Sequence, residues 1–67
     1  MADEREQLDS QRAAVRDHIE KYNRYKTSDP DAVNMALRTI KNCQAQIDKL
    51  KSRHPHWDSS WEDTWQP

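Results

Sequence analysis

Apolar residues in the first part of the chain fall on a helical repeat. Leu8, Val15 and Tyr22 lie seven apart, and Ile19 follows Val15 by four, so one stripe runs down a helix of about residues 3–25. Asp3, Glu4, Glu6 and Asp9 crowd its start and Arg16, Lys21, Arg24 and Lys26 its end, an order that complements the helix dipole.

A second repeat follows and is more regular. Val33, Ile40 and Ile47 recur every seven residues, with Ala36, Cys43 and Leu50 three residues after each. These are the a and d positions of a heptad, and Leu37 widens the stripe. Between the repeats, residues 26–29 form a turn: Asp29 can accept from the free amides of a new helix, and Pro30 suits its first position. So short a connection folds the second helix, about residues 30–53, back beside the first. Pro55 disfavours helix at His54 and ends the pattern. The expected fold is all-α: an antiparallel, coiled-coil-like two-helix hairpin over residues 1–54. The antiparallel order would also bring the acidic start of the first helix to Lys49, Lys51 and Arg53.

The remaining residues, 55–67, have a different character. They hold all three tryptophans, Trp57, Trp61 and Trp65, together with the acids Asp58, Glu62 and Asp63, and no Lys or Arg. Four-residue spacing would place the indoles on one face of a third short helix, and Ser59 with Glu62 has capping-box spacing. Two uses follow for these six residues. Tryptophan flanked by acids suits docking to a basic groove on a partner, and the same indoles suit packing on the chain's own hairpin as a substitute for absent phenylalanine.

Composition sharpens that choice. In 67 residues the only Leu, Ile and Val are Leu8, Val15, Ile19, Val33, Leu37, Ile40, Ile47 and Leu50, each contributing about 1.5–3 kcal/mol when buried, before entropy is subtracted. Two helices facing each other leave part of each stripe wet. The deficit predicts a dimer forming a four-helix bundle, a different helical partner, or the tail folding back. A net charge of −1 keeps the chain from opening by self-repulsion.

Catalytic chemistry finds little support. The chain has no glycine for a phosphate-cradling loop, and no Ser or Cys stands beside an evident base, so we expect no enzyme, no cofactor and no small-molecule substrate. His54, His56, Asp58 and Cys43 are all metal-ligand types, but Cys43 lies about three helical turns from His54 and no paired-ligand motif is present, so no metal is expected. Nucleic-acid binding is the alternative from another class. Between Arg12 and Lys26 the first helix carries five basic residues, Arg12, Arg16, Lys21, Arg24 and Lys26, of which Arg12 and Arg16, with Lys26, could form a stripe, and small dimeric hairpins can grip RNA or DNA across paired helices. The near-neutral balance and the acidic tail oppose it.

The sequence therefore reads as a small non-enzymatic protein-interaction module of adaptor, chaperone or inhibitor type. It would self-associate or bind a heterologous helical protein through its helix faces and tail. The lone Cys43 and the lack of a charged-then-apolar leader fit the cytoplasm, and no apolar run approaches the roughly 20 residues that cross a bilayer.

Overall fold

The computed structural model describes residues 3–67; the first two residues of the expected hairpin segment lie outside this range. The chain forms α1 (Glu4–Tyr25), α2 (Pro30–Arg53) and a 3-10 turn (Trp61–Asp63), with no strand among the described residues.

Local chemistry accounts for each boundary. Asp3 is extended and its carboxylate accepts from the Glu6 N–H at 2.8 Å, capping α1. At the other end the N–H groups of Ser28 and Asp29 donate to the Tyr25 carbonyl at 3.1 and 2.9 Å, satisfying an acceptor the helix leaves open. Asp29 then caps α2 by accepting from the Ala32 N–H at 3.1 Å, with Pro30 in the first helical position. The reversal needs no left-handed residue: no described residue has positive φ. His54 closes α2 by donating its N–H to the Lys51 carbonyl at 3.0 Å, and Pro55 prevents continuation.

The helices are antiparallel, because Glu4 at the start of α1 meets Arg53 (3.8 Å) and His54 at the end of α2. Lys51 departs from the expected charge arrangement and pairs with the tail instead of with α1. Exposed pairs within α1, Arg5–Asp9, Asp17–Lys21 and Glu20–Arg24, span one turn each. Each contributes only about 0.3–0.5 kcal/mol, so they support the helix and not the tertiary fold.

The core is one layer between the helices. Leu8, Val15 and Ile19 from α1 pack with Ile40, Ile47 and Leu50 from α2, and Cys43, Trp57 and Trp65 lean on the cluster. Ala36 is buried as well. Tyr22, Val33 and Leu37 are half-buried, lying toward the turn beyond the reach of most of the tail. The folded-back tail, one of the routes that would relieve the shortage of apolar residues, is present: Trp57 and Trp65 pack on the core.

Candidate functional site: the latched tail

The tail runs along the groove between the helices, in the direction of α1. It begins with a turn in which the Trp57 N–H donates to the His54 carbonyl at 3.0 Å. This lays the Trp57 indole flat on the His54 imidazole, with ring centroids 3.9 Å apart and planes 11° apart. The Arg5 guanidinium sits 5.6 Å from the Trp57 ring centre, and His56 meets both rings edge-on. His54 also hydrogen-bonds Glu4 through Nε2, so this aromatic stack is fixed to α1.

Beyond the stack, side chains of both helices hold the tail. Arg12 donates through Nε to Asp63 Oδ1 and through Nη2 to Asp63 Oδ2, both at 2.9 Å, and Nη2 also donates to the Asp58 carbonyl at 2.9 Å. From α2, Lys51 Nζ donates to the same Asp63 Oδ2 and to Ser59 Oγ, each at 2.9 Å. One turn along α1, Arg16 donates to Glu62 Oε1 at 2.6 Å. Gln44 uses its amide differently, donating to the main-chain carbonyls of Glu62 (3.0 Å) and Trp65 (2.9 Å). Every buried side-chain nitrogen and oxygen among the described residues has a partner.

The two acids expected at the surface are therefore among the most buried polar groups: Glu62 is 3% exposed and Asp63 5%, while Arg12 is 8% exposed. A carboxylate can be buried here because charged donors replace its water. Burial on its own would push the Asp63 carboxyl up, but hydrogen bonds from Arg12, Lys51 and the Ser60 N–H outweigh it and hold the group at about 2. Glu62 is likewise lowered: burial opposes ionisation, and the Ser60 hydroxyl, backbone hydrogen bonding and Arg16 prevail. The hydrogen bond to Asp63 raises Arg12 against the effect of burial.

The tryptophans do not share a helical face. The expected third helix is a single 3-10 turn, and the four-residue spacing loses its meaning outside an α-helix. Trp57 and Trp65 turn to the core, with Trp65 meeting Tyr22 edge-on at 5.6 Å. Trp61 points away and is 56% exposed. The turn is capped one residue later than the Ser59–Glu62 spacing predicts: Ser60 donates its N–H to Asp63 Oδ2 at 3.1 Å, and Ser59 is drawn off to Lys51. Asp58 is exposed and contributes its carbonyl.

Other sequence candidates take quieter places. Cys43 is half-buried, and burial raises its pKa, which favours the thiol over the reactive thiolate. No group of three or more His, Cys, Asp and Glu among the described residues is placed to hold a metal ion. Arg12 and Arg16 of the basic stripe face the tail acids. A second patch, away from the tail, is formed by His18, Lys21, Tyr25, Ala32 and Met35, with Met35 69% exposed.

Sequence reasoning missed Arg12, Arg16, Gln44 and Lys51 as tail-binding residues. A signal for two of them was present: arginines one turn apart match an adjacent Glu–Asp pair. No described helix is long and apolar enough to cross a membrane. No protein-family model matches the chain, nor does any curated protein or solved structure.

Proposed function

We propose that this chain is a small non-enzymatic protein-interaction module that presents Trp61 to a partner from a rigid turn. The supporting observation is the contrast within three consecutive residues. Glu62 and Asp63 are buried and ion-paired to α1, while the adjacent indole stands in solvent. Tryptophan contributes most at interfaces when it is rigid and able to enter a pocket, because little side-chain entropy then remains to be lost. The anchored turn supplies that rigidity.

A heterologous partner accords better with this geometry than a four-helix bundle of two copies. One groove between the helices is filled by the tail, and the other is lined by Gln7, Gln11, Gln46, Lys49, Ser52 and Arg53 around Leu50, a polar surface for a bundle core. The nucleic-acid alternative loses Arg12 and Arg16, whose charges are taken up by the tail acids. The lone Cys43 suits a reducing cytoplasmic setting.

The test is affinity capture with the full chain and with Trp61→Ala, both checked for helicity. A protein held by the parent chain and lost by the variant supports the proposal. Identical captured sets, or nothing above background with either chain, would overturn it.

A further inference from the structure

The residues that bind the tail form a receptor in their own right. Arg12, Arg16 and Lys51 converge on two adjacent carboxylates, and Gln44 grips two main-chain carbonyls at either end of the Glu62–Trp65 segment. Main-chain capture combined with charge recognition is how grooves bind peptides. The tail approaches from one tether, and its extended course needs only three residues of 3-10 helix. We infer that the α1–α2 groove is a binding site for an acidic, tryptophan-bearing segment of another protein, Glu–Asp followed two residues later by Trp, and that the chain's own tail is its built-in competitor. This surface is separate from exposed Trp61.

Physical arithmetic favours a foreign segment over the tail of a second copy. A tethered tail acts at an effective concentration of order millimolar. Exchange between copies recreates the same contacts and loses the entropy of association, so it gains nothing. A different protein can add contacts around the groove, notably in the cleft beside Trp65 lined by Leu37, Ile40 and Lys41. The latch would then open only for a ligand that outcompetes it, which gives the module a threshold.

The probe is a labelled peptide with the sequence of residues 55–67, titrated by fluorescence anisotropy into the full chain and into the Glu62→Gln/Asp63→Asn chain. The double variant keeps the shape of its tail but weakens its hold, so it should bind the peptide at least about 10-fold more tightly than the parent chain. A peptide carrying Asp63→Asn should lose at least about 10-fold, because it cannot supply the charge-assisted pair. One carrying Trp61→Ala should bind unchanged, which separates this site from the surface proposed above. If the double variant loses helicity, recovery of the helical signal on adding peptide supports the receptor, and no recovery overturns it. Absence of binding to a folded double variant also overturns it. Light scattering that shows a parent dimer dissolved by the double substitution would assign the groove to a second copy and overturn the foreign ligand.

Discussion

Arg12 and Asp63, 51 residues apart in sequence, meet through two parallel 2.9 Å hydrogen bonds in the groove between the helices. The pair links the first helix to the last turn of the chain. Replacing Arg12 with Met leaves the buried carboxylate to Lys51 and the Ser60 N–H, and should cost about 3 kcal/mol, the lower part of the range for a broken buried pair because the tail can lift and rehydrate. Arg12→Met combined with Asp63→Leu should recover only part of that loss, because Lys51, the Ser60 N–H and the Asp58 carbonyl lose partners as well. Urea denaturation followed by circular dichroism measures both, and a loss below about 0.5 kcal/mol for the single variant would show that the pair is not structural.

Acid should loosen the fold in a defined window. The folded-state pKa of Asp63, about 2, lies below the ordinary 3.8, so its ionised form is favoured by folding. The associated stability, about 2 kcal/mol, is present above pH 4 and disappears as pH falls from about 4 through 2. Glu62 is shifted the same way and adds to the slope. Thermal melts between pH 7 and pH 2 should show a plateau and then a fall. Asp63→Asn should flatten much of the acid limb, and an unchanged limb in that variant would exclude this carboxylate as its source.

The three tryptophans should behave differently on truncation. Trp65→Ala removes a half-buried ring against Tyr22 and the core, costing about 1–3 kcal/mol, less than full burial would imply. Trp57→Ala removes the His54 stack together with a half-buried ring on the core, and should likewise cost about 1–3 kcal/mol. Trp61→Ala should change stability by no more than about 0.5 kcal/mol. In acrylamide quenching the accessible component should vanish with Trp61→Ala alone; its persistence in that variant would mean that another indole is the exposed one.

The central layer tolerates little. Ile47 and Leu8 are fully buried, and truncating either to Ala should cost about 2–5 kcal/mol, comparable with the whole stability of a domain this small. Loss of the helical signal at 25 °C is the expected reading, and a cooperative melt close to that of the parent would show that the core lies elsewhere.

Much of the hairpin was legible because its signals are local. Asp29–Pro30 starts α2 and Pro55 stops it through backbone chemistry that no distant contact alters. The heptad spacing likewise points Ile40 and Ile47 inward. The latch was not legible in the same way. Arg12 and Arg16 read as a basic stripe suited to nucleic acid and Glu62 with Asp63 as acids suited to a partner's basic groove, since charged residues belong in water unless a specific partner replaces it. That partner lies 46 to 51 residues away, where no periodicity reports on it. The tryptophan spacing misled for a related reason: it is meaningful only on an α-helix, and the pull of Arg12, Arg16 and Gln44 holds the segment in a more extended course.

The absence of positive φ among the described residues has a practical consequence for mapping this molecule. No residue from Asp3 onward depends on a conformation that alanine cannot adopt, and the chain contains no glycine whose replacement would narrow the unfolded ensemble. An alanine scan across the turn and the tail that leaves Pro55 and Pro67 in place would therefore report side-chain energetics with little backbone distortion. Away from its three prolines, chemical contributions in this chain can be separated from conformational ones by single substitutions.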